Sequence, residues 1–130
     1  MAPVQYVSTR GTAPTLTFEQ ALLAGMASDG GLYVPDHWPV LSPQELRALR
    51  GQPYAEVAVR VMLPFLGGTI PEPAFRTLVA DAYAGFDHRA VAPLVQLEPG
   101  LWLMELFHGP TLAFKDVALQ LLGLFFERFL

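Results

Sequence analysis

The chain has 130 residues, 52% of them hydrophobic and 15% charged, with 12 prolines, 11 glycines and no cysteine. That length holds one domain with a modest core, that composition excludes wholesale disorder, and the missing cysteines remove disulfides, thiolate nucleophiles and most zinc-finger chemistry. A formal charge of -4 argues against nucleic acid or an anionic membrane as a partner, since neither offers positive charge to an acidic surface.

The opening residues, Met1-Ala2-Pro3-Val4-Gln5-Tyr6, carry no basic region or apolar run, so no signal peptide is expected and the cytoplasm is the expected location. Tyr6 to Thr9 is β-prone and runs into the loop Arg10-Gly11-Thr12-Ala13-Pro14. Thr17 with Gln20 forms a capping box, and Phe18, Ala21, Leu22, Gly25 and Met26 follow at helical spacing. Asp29-Gly30-Gly31 stops that helix, and Leu32-Tyr33-Val34 reads as a brief extended segment before Pro35. Ser42-Pro43-Gln44-Glu45 opens a short helix to about Arg50, with Ser42 as N-cap, proline in the first helical position and Glu45 reaching back.

From Tyr54 the apolar positions Val57, Ala58, Val61, Met62, Phe65 and Leu66 predict a central helix, supported by Glu56 four residues before Arg60 and kinked or ended by Pro64. Thr69-Ile70-Pro71-Glu72 starts another helix, which buries Phe75, Leu78, Val79, Ala82 and Tyr83 and stops at Gly85. Two strands, Pro93 to Leu97 and Leu101 to Leu106, flank the turn Glu98-Pro99-Gly100. A strongly apolar helix then runs from about Ala113 to Leu130 with no stop signal, which reads as an N-terminal piece of something larger. Its apolar stretch Leu121 to Phe126 is far short of the roughly 18 residues of a membrane span, so no membrane partner is expected. Phe125, Phe126, Phe129 and Leu130 are expected to form an uncovered face that drives self-association. The predicted fold class is α/β, mixed α+β in this length: a helical N-terminal region with short strands, then a β-hairpin and one further helix.

Lys115 is the only lysine among eight basic residues. Only an amine can deprotonate and attack a carbonyl, so the place where lysine persists is a candidate for that chemistry. On a helix beginning near Thr111 to Phe114, Lys115 shares its stripe with Leu119, Leu122 and Phe126, while Asp116, Gln120 and Glu127 share another. A helical first turn disfavours a cation and apolar surroundings favour a neutral, nucleophilic amine. The competing reading is a lysine whose stem covers apolar surface while its ammonium reaches water.

The segment Leu106-Phe107-His108-Gly109-Pro110-Thr111-Leu112-Ala113-Phe114-Lys115-Asp116 resembles the cofactor-lysine motif of the threonine synthase family, whose members use pyridoxal phosphate to make threonine from O-phosphohomoserine. Tyr6-Val7-Ser8-Thr9-Arg10-Gly11 and Ser28-Asp29-Gly30-Gly31-Leu32-Tyr33-Val34-Pro35 resemble that family's opening segments in the same order. The resemblance implies that residues 1–92 form the family's N-terminal helical domain and that 93–130 begin its pyridoxal-phosphate domain. It also implies Lys115 as the Schiff-base lysine and as the catalytic residue that shuttles protons at the substrate, with Phe114, Asp116 and His108 as further cofactor contacts. Family members are several times longer, and the glycine-rich loop for the cofactor phosphate lies downstream of the lysine in them, so catalysis by 130 residues alone is not expected.

Other roles stay open. His108 either orients the loop or sits as a turn histidine bonded to backbone; Asp116 either positions a polar group or complements the helix dipole; Thr111 reads as an N-cap. Arg10 meets a substrate phosphate or forms a surface or interdomain salt bridge. His37, His88 and His108 lie far apart in sequence with no paired spacing, so no metal site is expected. The alternative function is a non-catalytic module that folds and self-associates or packs on a partner domain; another pyridoxal-phosphate lyase of the same broad fold is a third reading.

Overall fold

The computed structural model describes residues 2–130. Helices and short antiparallel strands alternate in the order β1 (Tyr6–Ser8), α1 (Phe18–Ala24), β2 (Tyr33–Pro35), α2 (Pro43–Ala48), α3 (Tyr54–Met62), α4 (Glu72–Ala84), β3 (Leu94–Glu98), β4 (Leu101–Met104) and α5 (Asp116–Phe129), with a 3-10 turn at Leu63–Leu66 between α3 and α4. The fold is thus mixed α and β, as the patterning predicts. The chain divides into two compact units, one reaching to Arg50 together with Val59–Phe75, the other made of Gly51–Ala58 and Arg76–Leu130. These packing units do not coincide with a division after residue 92.

In the first unit both capping boxes form as read: Thr17 and Ser42 each accept from the backbone three residues on, and Gln20 and Glu45 reach back to the cap N–H groups. The first helix ends at Ala24, before Met26, which is exposed, because Gly25 takes a non-helical conformation there. Strands β1 and β2 pair antiparallel with Val7 opposite Val34 and Ser8 opposite Tyr33. The Tyr6 hydroxyl donates to the Phe65 carbonyl at 2.8 Å, and Trp38 meets Phe65 edge-on at 6.1 Å. Val4, Ala21, Ala27, Val59, Leu66, Ile70 and Phe75 are buried here. Pro64 ends the regular α-helix as expected, by turning it into the 3-10 segment.

In the second unit the buried apolar side chains are Ala58, Val79, Ala82, Tyr83, Val91, Leu121 and Phe125. Tyr83 organises them: its ring meets Tyr54 edge-on at 5.0 Å and Phe86 at 5.4 Å, while its hydroxyl donates to the Val117 carbonyl at 2.9 Å. Burial, with the neighbouring Tyr54, pushes the Tyr83 phenol far above its ordinary value. Strands β3 and β4 pair antiparallel with Val95 opposite Leu103 and a bulge between Gln96 and Glu98. Every residue of both strands is exposed, including Leu94, Leu97, Trp102 and Met104.

Two sequence expectations are corrected here. Glu56 pairs with Arg76 and Arg60 with Glu45, in place of the Glu56 to Arg60 pair read along one helix. A pair along an exposed helix face is worth only about 0.2–0.5 kcal/mol, so partners from other elements displace it readily. The C-terminal face is also less open than expected: Phe125 is buried, Phe126 and Phe129 are half-buried, and only Leu130 stands clear at 91% exposure. The larger open apolar surface of this unit lies on the hairpin.

Candidate functional site

The candidate lysine lies on the loop that joins β4 to α5, and the residues around it brace that loop from both ends. At the start, the Glu105 N–H donates to the Pro93 carbonyl at 3.0 Å, carrying the hairpin ladder one residue past β4. Three residues later the two ring nitrogens of His108 face carboxylates, Nε2 at 2.7 Å from Glu105 Oε2 and Nδ1 at 3.1 Å from Asp87 Oδ1. The Asp87 N–H also donates to the His108 carbonyl at 3.0 Å, so histidine and aspartate are tied twice. The Glu105 hydrogen bond, aided by Asp87 and opposed by burial, raises the His108 imidazole above its ordinary value, and when the ring is protonated both nitrogens donate, one to each acid. His108 is therefore a side-chain clasp, neither a turn histidine bonded to backbone nor a ring with a nitrogen to spare. His88, distant in sequence, brings its ring within 5.0 Å of His108.

At the far end Asp116 is the anchor. It is 3% exposed, and its carboxylate accepts from the Thr111 N–H at 2.8 Å, the Thr111 hydroxyl at 2.8 Å and the Gln120 amide at 3.2 Å. Burial alone would raise this carboxyl; the bonds from Thr111 and Gln120 outweigh it and hold it below its ordinary value. Gly109 presses against the same group, where an added Cβ would stand 2.4 Å from the Asp116 Cβ. Between the anchors the Leu112 N–H donates to the Gly109 carbonyl at 3.1 Å, and Leu112 itself is held at φ 62°, a left-handed conformation that leucine resists. Thr111, read as an N-cap, instead spends its hydroxyl on Asp116, and the helix begins at Asp116 instead of near Ala113.

Lys115 occupies the cap position of α5, in the right-handed helical region, with its side chain exposed. No hydrogen bond or ion pair to its ammonium forms among the described residues. The expected apolar stripe does not enclose it: Leu119 is 48% exposed, and Leu122 and Phe126 are half-buried, so the placement matches the competing reading, a lysine whose amine reaches water. Phe114 beside it is 66% exposed. Of the residues singled out from the sequence, Lys115 and Phe114 are thus the open pair, while Asp116 and His108 turn their polar atoms onto the loop. Glu105 and Asp87 were missed. Glu105 carried a signal, since it stands three residues before His108; Asp87 carried none, being 21 residues away.

Arg10 lies in the other unit. Its Nη1 donates to the Asp29 carbonyl at 2.9 Å, and the guanidinium is otherwise exposed, so its partner is a backbone group and not an acidic side chain.

A family profile described as threonine synthase N terminus matches residues 5–83. The chain belongs to the threonine synthase family. It is 56% identical over 120 residues to a threonine synthase of Pseudomonas aeruginosa, across 92% of this chain and 26% of that protein. A crystal structure of threonine synthase from Brucella melitensis, described as bound to pyridoxal phosphate (PLP), superposes with a TM-score of 0.94 at 54% identity, over 97% of this chain and 27% of that one. The yeast threonine synthase structure superposes with a TM-score of 0.89 at 38% identity, over 99% of this chain and 27% of that one. The chain therefore corresponds to the family's N-terminal portion and spans about a quarter of the length of these threonine synthases. Among the described residues no helix is long and apolar enough to cross a membrane.

Proposed function

We propose that this chain supplies the reactive lysine of a cytoplasmic threonine synthase, which converts O-phospho-L-homoserine and water to L-threonine and phosphate, with pyridoxal phosphate held at Lys115. In this reading residues 1–92 are the N-terminal domain and 93–130 open the cofactor domain. The observation that carries it is the loop that roots Lys115, braced at one end by His108 on Glu105 and at the other by Thr111 on Asp116, with the Lys115 side chain making no hydrogen bond or ion pair among the described residues. An amine committed to a carboxylate is a poor nucleophile, so an unpaired one is open to an aldehyde, and the apolar surroundings that the sequence leads one to expect are not supplied by Leu119, Leu122 and Phe126. The open Phe114 ring beside it offers an apolar face to a flat heterocycle. The residues present thus fit the lysine end of the cofactor.

Bound there, pyridoxal phosphate supplies a ring that takes up the electrons released at a substrate carbon. The chain's own part is narrower. Lys115 Nζ would hold the cofactor and, once displaced by the substrate amine, would move protons at the substrate Cα and Cβ, while Asp116 and His108 keep the loop in place.

The test is chemical. The chain is mixed with pyridoxal phosphate, reduced with borohydride and digested for mapping. Saturable, stoichiometric labelling at Lys115 is expected; label spread between Lys115 and the N-terminal amine without saturation overturns the reading. A second reading, a module that self-associates or packs on a partner domain, is favoured by the β3–β4 hairpin, whose apolar residues lie open on both faces. Sedimentation of a strictly monomeric species at high concentration would remove self-association.

A further inference from the structure

We propose that Asp116 is the positioning residue of this site: by gathering Thr111 and Gln120 onto its buried carboxylate, it fixes the point from which the Lys115 side chain departs. The proposal rests on the reading of Lys115 given above and adds to it a neighbour that need not touch any ligand.

Three observations carry it. Asp116 is a charged side chain at 3% exposure, a rare placement unless the charge is fully bonded, and both of its oxygens accept from the loop or from the next turn of α5. Gly109 lies so close that no side chain fits between its backbone and the carboxylate, so the loop is drawn onto Asp116 along its length from 109 to 111. Leu112 sits at φ 62° between these contacts and the helix, a conformation that persists only where the surroundings impose it. The Lys115 side chain contributes nothing to this scaffold, since it makes no polar contact among the described residues; only its carbonyl takes part, accepting from the Ala118 and Leu119 N–H groups at the start of α5. The position of its Cα is inherited from Asp116, and a nucleophile gains reactivity toward a bound partner from being held in place.

The experiment compares Lys115 with the N-terminal amine in the same molecule. The chain is treated with pyridoxal phosphate and borohydride, and the ratio of label at Lys115 to label at the N-terminus is measured, with amide hydrogen exchange at Thr111 recorded in parallel. Asp116→Asn and Thr111→Val are each expected to lower that ratio roughly tenfold, the scale of one lost hydrogen bond to a charged group, and to speed exchange at Thr111. Thr111→Ser retains the hydroxyl and should restore the ratio, which a general loss of packing would not. Thr111 is exposed, so its variants decide the matter if Asp116→Asn does not fold. A ratio unchanged in a folded Thr111→Val variant whose Thr111 amide exchanges faster overturns the positioning role and leaves the reading of Lys115 intact. An unmodified chain with no saturable label at Lys115 overturns that reading and the positioning role with it.

Discussion

Two aspartates in this chain solve the same problem on different scales. Asp29 accepts from the Ser8 hydroxyl at 2.7 Å, the Thr12 N–H and hydroxyl at 3.0 Å each, and the Ala13 and Gly31 N–H groups at 2.9 Å each. Asp116 gathers the Thr111 N–H and hydroxyl and the Gln120 amide. Each is pressed by a glycine that could not carry a side chain: a Cβ on Gly31 would stand 2.3 Å from the Ser8 hydroxyl oxygen, and one on Gly109 would stand 2.4 Å from the Asp116 Cβ. The donors of Asp29 reach back 21 residues and close the loop between β1 and α1 onto the turn before β2, whereas those of Asp116 lie within five residues and shape one loop. A carboxylate that ties distant segments stabilises the unit; one that ties its own loop sets the direction of a single side chain. Each also has a basic residue beside it, and the difference repeats: Arg10 is held by the Asp29 carbonyl, while Lys115 is left open.

The sharpest way to break the pairing is to exchange the basic residues. Lys115→Arg is expected to abolish borohydride-trapped label at residue 115 completely, because a guanidinium does not deprotonate at usable pH. Arg10→Lys places an amine on the other aspartate-held loop, and peptide mapping should find it labelled without saturation. Saturable label at residue 10 would mean that any lysine on a braced loop suffices.

Next in size are the two glycines. Gly31→Ala and Gly109→Ala each force a methyl group against a polar side chain at less than contact distance, and an overpacked site of this kind costs about 1–3 kcal/mol. Urea unfolding should show the loss in both. Gly109→Ala should in addition lower trapping at Lys115 and Gly31→Ala should not, which separates a loop that aims a side chain from one that closes a unit.

Acid and base should part the clasps by sign. The Ser8 hydrogen bond, with those of Gly31, Ala13 and Thr12, holds the Asp29 carboxyl far below the ordinary carboxylate range, and Asp116 is lowered against the pull of its own burial. A carboxyl lowered in the folded state contributes stability above its unfolded value, near 4, and loses it as pH falls through the folded value. His108 is raised, so its contribution is complete below the unfolded imidazole value of about 6.5 and is lost as pH rises through the folded one. Amide exchange should therefore loosen the Asp116 loop in acid before the Asp29 loop, and loosen the His108 segment in mild base. His108→Gln should remove only the basic limb; a variant that keeps that limb shows that another group sets it.

Local chemistry was readable in the sequence and long reach was not. The Thr17 and Ser42 caps, the hairpin turn and the break at Pro64 each depend on residues within four positions of one another, and all appear. The pairing of β1 with β2, the Asp29 hub and the Asp87 to His108 contact join segments 16 or more residues apart, where no periodicity connects the partners. Lys115 stands out as the only lysine and through the motif around it, but its surroundings do not follow from the sequence: a helix started near Thr111 to Phe114 places the lysine inside an apolar stripe that the structure does not close. The contest between Asp116 as a helix residue and Asp116 as an acceptor for Thr111 is decided by tertiary geometry.

The smallest expected effects come from the two capping boxes, which share one design in unequal settings. Thr17→Ala removes the acceptor for the Gln20 N–H and should cost about 1 kcal/mol in urea unfolding, because α1 buries Ala21 and its fraying exposes core. Ser42→Ala removes the same kind of bond to Glu45, yet α2 buries no residue, so its first turn can fray while the rest of the unit stays folded. The urea midpoint should then barely move, and the loss should appear instead as faster amide exchange at Glu45. If both variants shift the midpoint equally, α2 is coupled to the core more strongly than its exposed surface implies, and the cooperative part of this unit extends to Pro43–Ala48.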